Sequence, residues 1–214
     1  QIFDVTAKPL IMDIDTGGRA EHLKINLRSM ERLGISAVIM EDKRGLKKNS
    51  LLGNKVKQYQ DTIKNFSEKI KIIKQNQLNK DFMLISRIES LILKNGMKDA
   101  LKRADSYLKA GSDGIMIHSK EKNPKEIFEF ARKFRKKHKD VPLVCVPTSY
   151  NGVKESELIK KGFNIVIYAN QLFRASYPSM NDAAISILKN ERSKEIDKKL
   201  ISINQILNLI PGTI

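Results

Sequence analysis

The sequence predicts an α/β chain of parallel strands joined by helical crossovers, the repeating unit of α/β barrels. Two observations predict it. Short apolar runs alternate with segments of helical period, and the alternation repeats six times along 214 residues. Several of the apolar runs also end abruptly in charge, and in barrels of this kind the chemistry sits at the carboxyl ends of the strands.

The elements follow in order. Residues Gln1 to Lys8 read as a helix end or loop, and Pro9 opens a first strand running to Asp15. Leu23, Ile25, Leu27, Met30 and Leu33 give Glu21 to Leu33 the apolar stripe of a helix, which Gly34 stops. Ser36 to Glu41 is a second strand, and a polar loop, Asp42 to Val56, follows it. Ile63, Phe66, Ile70 and Ile73 mark a long helix over Lys57 to Gln77. Phe82 to Ile88 is the third strand, Asn95 to Ala110 a helix closed by Gly111, and Gly114 to His118 the fourth strand. Asn123 and Pro124 suit the cap and first position of a helix reaching about His138. Pro142 to Val146 and Asn164 to Tyr168 are the fifth and sixth strands, with a short helix, Lys154 to Lys161, between them. Gln171 to Asn190 is helical with an interruption at Pro178. A charged linker or helix, Arg192 to Leu200, leads to a tail helix, Ser202 to Leu209.

Composition narrows the function. Lys and Arg number 40 against 24 Asp and Glu, a net charge of +16, but the basic residues are spread over most of the chain. With no Trp and neither a stacking motif nor a zinc spacing, a Lys-rich solvated surface fits better than a nucleic-acid face. Such a surface still steers anionic substrates. The single cysteine, Cys145, lies in an apolar run and reads as an inert core residue. One cysteine forms no intrachain disulfide, so a reducing, cytoplasmic setting is expected. No apolar run approaches the ~20 residues of a membrane span.

Two strand ends carry the candidate chemistry. VIMEDKRGLKKNS, from Val38, places Glu41 as a candidate metal holder, with Lys47 and Asn49 on a loop able to close over an anion. The plainer reading is a solvated loop after a strand. In PLIMDIDTGG, Asp13 and Asp15 are two apart, so an extended chain points both to one side. Converging carboxylates suit a hard cation such as Mg²⁺; the plainer reading is an acid pair capping the next helix.

MDIDTGG, MEDKRGLKKNS, ISRIES (from Ile85) and GIMIHSK (from Gly114) together resemble the phosphoenolpyruvate mutase branch of the isocitrate lyase superfamily, in the family's order and near its spacing. The resemblance extends to about residue 190. It makes MDIDTGG the third strand of a TIM-type (β/α)8 barrel, so the chain is expected to be an amino-terminally incomplete barrel lacking two strands, about 60–80 residues of a ~250-residue fold. Residues 1–190 would then be the barrel domain and 191–214 a helical tail or linker. The family's carboxylate-binding backbone and an aspartate implicated in phosphoryl transfer would lie on the missing segment. The chain is therefore expected to show an open sheet edge and incomplete activity.

The resemblance also implies roles. Asp13 would contact Mg²⁺ directly, with Asp15 and Glu41 reaching it through water. Arg87 would bind the transferring phosphoryl group, though a strand-end ion pair to Glu89 or Asp15 is the structural alternative, with Glu89 behind the site. His118 would lie near the phosphoryl group; the alternative is a hydrogen-bonded structural histidine. Phosphonopyruvate hydrolases of the family tend to carry threonine where Asn49 stands, and the lyases a Cys-containing KKCGH-type loop. KKNS therefore points to interconversion of phosphoenolpyruvate and phosphonopyruvate, as in phosphonate biosynthesis. The hydrolase, another carbon–carbon lyase, and a basic anion- or nucleic-acid-binding module are the alternatives. Members assemble as homodimers or homotetramers in which a late helix, here around Gln171 to Asn190, packs on a neighbour.

Overall fold

The computed structural model describes residues 2–45 and 48–209. Of these, residues 9–168 form one compact unit, and residues 2–8 with 169–209 form another.

In the larger unit, β1 (Ile11–Asp13), β2 (Ala37–Glu41), β5 (Met83–Ile88), β6 (Gly114–Ile117), β7 (Leu143–Cys145) and β8 (Ile165–Val166) build one sheet. The order is β1-β2-β5-β6-β7-β8, and every neighbouring pair is parallel. Parallel neighbours need a crossover between them. These are supplied by α2 (Ala20–Arg32), α3 (Ile63–Asn76), α4 (Gly96–Ala110), α5 (Lys125–Arg135) and α6 (Glu155–Lys160). β1 is an edge strand and all three of its residues are exposed.

The strands are hydrophobic on both faces, and the pleat sorts their residues into two cores. Val38, Met40, Leu84, Ile88, Ile115, Ile117, Leu143 and Cys145 pack with the helix residues Leu23, Phe66, Ile70, Tyr107, Phe130 and Phe134. Ala37, Ile39, Ile85, Met116 and Val144 form a smaller cluster of their own. Counting on by two from that cluster leads to Glu41, Arg87 and His118. The register confirms the arithmetic, because Glu41 pairs with Arg87 and Ile88 with Ile117.

The helices obey their sequence pattern. α3 buries Phe66, Ile70 and Ile73, and α5 buries Ile127, Phe130, Ala131 and Phe134. Gly111, at φ +112, terminates α4 in the left-handed conformation that glycine adopts without a Cβ penalty. The basic stretch of α5 and the turn after it is largely committed within the chain. Arg135 donates to the carbonyls of Val141 (2.6 Å), Gly162 (2.8 Å) and His138 (2.9 Å), while Lys133 pairs with Glu129 and Lys137 with Asp105.

Three expectations for this unit need correction. The first strand ends at Asp13, because Asp15 adopts a left-handed backbone (φ +53) and its N–H turns back to Asp13 Oδ1 at 2.9 Å. The long helix starts at Ile63, not Lys57. Thr62 caps it through a bond from Asn65 N–H, and the preceding residues form β4 (Tyr59–Gln60), antiparallel to β3 (Lys43–Arg44). The loop after Glu41 is thus partly a two-stranded clip, followed by a 3₁₀ turn over Ser50–Lys55.

In the smaller unit, α1 (Ile2–Val5), α7 (Gln171–Asn190) and α8 (Ile203–Leu207) are the α-helices among the described residues. α7 runs unbroken through Pro178, where an interruption was expected, and it buries none of its residues. A helix can carry proline by giving up one backbone bond, and Pro178 and Arg174 four residues before it are exposed to solvent. No described helix is long and apolar enough to cross a membrane.

Phe66 is wholly buried, with its ring centroid 4.6 Å from that of Tyr107. Truncating Phe66 to alanine should cost about 3–5 kcal/mol, the range for a buried aromatic. Urea denaturation read by circular dichroism measures it.

Candidate active site

At the carboxyl ends of β1, β2, β5 and β6 the apolar filling gives way to charge. Arg87 is the centre. Its Nε donates to Glu89 Oε1 at 2.6 Å and its Nη2 to Ser50 Oγ at 2.7 Å. Nη2 also lies 3.1 Å from His118 Nδ1 and 3.4 Å from Glu41 Oε2, and Nη1 is 3.9 Å from Asp13 Oδ2. The structure thus brings Asp13, Glu41, Arg87 and His118 together. The Arg87–Glu89 ion pair, set out above as a structural alternative, is also present.

Burial governs the charges here. It works against the Arg87 guanidinium, but Glu89, Glu41 and Asp13 outweigh it and hold Arg87 more firmly protonated than usual. Burial likewise opposes ionised Glu89, yet the His118 hydrogen bond and the Arg87 charge win and keep its carboxyl well below the ordinary glutamate range. Burial pushes His118 below its usual value, so the neutral imidazole is the form at pH 7. His118 Nδ1 lies 3.2 Å from Glu89 Oε1. In one tautomer it donates there; in the other it accepts from Arg87.

Asp13 and Asp15 are joined to Glu41 through the main chain. Asp15 N–H donates to the Asp13 carboxylate, and the Asp15 carbonyl accepts from Glu41 N–H at 2.7 Å. The extended geometry that would aim Asp13 and Asp15 to one side is broken by the turn at Asp15. Among the described residues, no group of three or more acidic, histidine or cysteine side chains is close enough to hold a metal ion. Asp13 and Glu41 nevertheless both face Arg87, and their all-oxygen character fits Mg²⁺, which takes one or two carboxylates and completes its shell with water and substrate.

On the loop, the Asn49 side chain accepts from Leu51 N–H at 2.9 Å and starts the 3₁₀ turn that carries Ser50. Lys47 lies outside the described residues. Gly17, in the TGG of the first motif, has φ +74, and a Cβ there would come within 2.6 Å of Met40 Sδ. That glycine lets the chain after β1 close onto β2. Cys145 is buried, which pushes its thiol up to about 12 and leaves it inert.

Sequence reasoning missed a second polar network, on the helix side of the same strand ends. Asp42 is wholly buried. It accepts from Gln60 Nε2 (2.8 Å), Tyr107 OH (2.8 Å), Arg103 Nη1 (3.1 Å) and Glu89 N–H (2.9 Å). Burial pushes its carboxyl up to about 6, while the Arg103 charge and the donors from Glu89, Tyr107 and Gln60 favour the ionised form. The available signal was Arg103 itself, an arginine inside the buried stripe Ala100, Arg103, Ala104, Tyr107 of α4. Lys43 and Ser50 were also missed. Lys43 Nζ donates to Ser50 Oγ (2.9 Å), the Lys48 carbonyl (2.9 Å) and Gln58 Oε1 (3.0 Å).

A partial parallel barrel with carboxylates, an arginine and a histidine gathered at its strand ends defines an enzyme-type site of the α/β barrel class. The chain belongs to the phosphoenolpyruvate phosphomutase family, whose model matches residues 1–188. A phosphoenolpyruvate phosphomutase of Tetrahymena pyriformis is 34% identical over 207 residues, covering 96% of this chain and 68% of that protein. A phosphonopyruvate hydrolase of Variovorax sp. is 36% identical over 203 residues, covering 94% and 69%. Among solved structures, the phosphoenolpyruvate phosphomutase of Streptomyces platensis subsp. rosaceus superposes with a TM-score of 0.88 at 33% identity, covering 95% of this chain and 70% of that one. A phosphonopyruvate hydrolase in complex with oxalate and Mg²⁺ superposes at 0.83 and 33%, covering 95% and 69%. Mutase and hydrolase are equally near.

Glu89 supplies a pH signature. Its carboxyl is depressed in the folded state, so its contribution is fully present above the unfolded value of 4.5 and is lost as pH falls below it. Glu89→Gln should therefore be less stable than wild type at pH 7, with the gap narrowing as pH drops below about 4.5. Urea titrations at a series of pH values check the trend.

Proposed function

We propose that the chain interconverts phosphoenolpyruvate and 3-phosphonopyruvate, moving a phosphoryl group between oxygen and carbon, as phosphonate biosynthesis requires. The observation that carries this reading is the setting of Arg87: a buried, firmly protonated guanidinium beside two carboxylates and a neutral histidine. Phosphoryl transfer depends mainly on positioning and electrostatic stabilisation. Arg87 binds the phosphoryl oxygens, with bidentate geometry open to a guanidinium. His118 contributes a hydrogen bond to the same group. Asp13 would contact Mg²⁺ directly, with Asp15 and Glu41 reaching it through water; the bound ion would supply positive charge against the substrate's oxygens. The loop 42–56, with Lys47 and Asn49, closes over the substrate and keeps water from the phosphoryl group.

Asn49 supports the mutase over the hydrolase, because the family's hydrolases tend to carry threonine there. The hydrolase is the second reading, favoured by the Variovorax relative at 36% identity. Phosphorus NMR of the protein with 3-phosphonopyruvate and MgCl₂ decides between them. The mutase reading expects a phosphoenolpyruvate resonance to grow; growth of inorganic phosphate instead overturns it.

A homodimer or homotetramer in which α7 packs on a neighbouring copy is part of the same proposal. It is supported by a 20-residue helix that buries nothing and leaves Leu172 88% and Leu188 80% exposed. Light scattering after size exclusion should report a dimer or larger, and the double variant L172D/L188D a smaller species. A monomeric wild type at tens of micromolar overturns the assembly.

A further inference from the structure

Ser50 sits between the loop and Arg87, and its hydroxyl is filled. It is 4% exposed. It donates to Glu89 Oε2 at 2.6 Å and accepts from Arg87 Nη2 at 2.7 Å and Lys43 Nζ at 2.9 Å. A serine hydroxyl offers one donor and two acceptor positions, so all three are used. Every partner is charged, and charge-assisted hydrogen bonds are the strong class. Lys43 in turn spends its three donors on Ser50, Lys48 and Gln58, which fastens the chain on both sides of the 3₁₀ turn to one ammonium.

We infer that Ser50 is a positioning residue. Its hydroxyl fixes the rotation of the Arg87 guanidinium and thereby ties the phosphoryl-gripping arginine to the seating of residues 48–58. The other contacts of Nη2 cannot replace it. Glu41 Oε2 is 3.4 Å away, and His118 Nδ1 accepts from Arg87 only in the tautomer that cannot donate to Glu89. Removing the Ser50 oxygen leaves Nη2 without its short acceptor, Lys43 with one proton unplaced and Glu89 with one donor fewer. The guanidinium is then held at Nε alone by a short bond and is free to swing at its far end. This rests on the phosphoryl-binding reading of Arg87, but not on whether the product is phosphoenolpyruvate or phosphate.

The test is a double-mutant cycle with S50A and R87Q, reading phosphoenolpyruvate affinity by calorimetry in MgCl₂, together with turnover of 3-phosphonopyruvate. S50A should lower kcat about 10- to 100-fold, the scale on which losing a partner that orients an acting side chain is felt, and S50T should recover most of it. The affinity loss from S50A should largely vanish in the R87Q background, because coupled residues are non-additive. Additive losses, or S50A kinetics equal to wild type, overturn the inference. A ligand-free readout stands beside these. The Arg87 side-chain resonances, assigned by their loss in R87Q, should shift in S50A, and an unchanged spectrum overturns the inference whatever reaction the enzyme performs.

Discussion

The buried ion pair between Arg87 and Glu89, at 2.6 Å, is the interaction on which the site depends. Neither charge would be tolerated alone in that position, because an unpaired buried ion costs several kcal/mol. Together they are satisfied only when Ser50, Lys43, Glu41 and His118 are also in place. One pair therefore recruits side chains from two strands, a strand end and a loop. Arg87 meets Asp13 and Glu41 over distances longer than its bonds to Glu89 and Ser50. An arriving anion can compete for those looser charge contacts without dismantling the bonds that orient the guanidinium.

A second constraint stands back to back with the first. Glu41 and Asp42 are consecutive and point to opposite faces, so one joins the Arg87 cluster while the other meets Arg103 and Tyr107 of α4. Asp42 N–H donates to the Arg87 carbonyl at 3.0 Å, and the Asp42 side chain accepts from Glu89 N–H. The main chain that carries the site is thus locked from behind by a buried carboxylate. Backbone placement at the end of β5 follows from helix packing as much as from the sheet, which makes α4 part of the support for a site it does not line.

For the family, the arrangement separates what is shared from what differs. A phosphomutase and a phosphonopyruvate hydrolase match this chain almost equally well, at 34% and 36% identity. In the proposed function the strand-end cluster grips a phosphoryl group, which either reaction needs. Whether water reaches that group is a property of what lies over it, which in the proposed function is the loop from Asp42 to Val56.

Much of this was legible in the sequence, because strands have a period of two and helices of 3.6 whatever their neighbours. That alone located the crossover helices and made Cys145 a core residue, and it put Glu41, Arg87 and His118 at strand ends. The polar loop carrying Asn49 was legible too, although Ser50 within it was not singled out. It could not place Asp15, whose left-handed backbone is a turn closed by Asp13 and by Glu41 N–H, nor start α3 at Ile63, which depends on a clip between chain segments paired at Arg44 and Tyr59. It could not pair Asp42 with Arg103 or Ser50 with Arg87, separated by 61 and 37 residues. Long-range polar contacts are decided by where the packed helices and strands carry their side chains, and no local period records that.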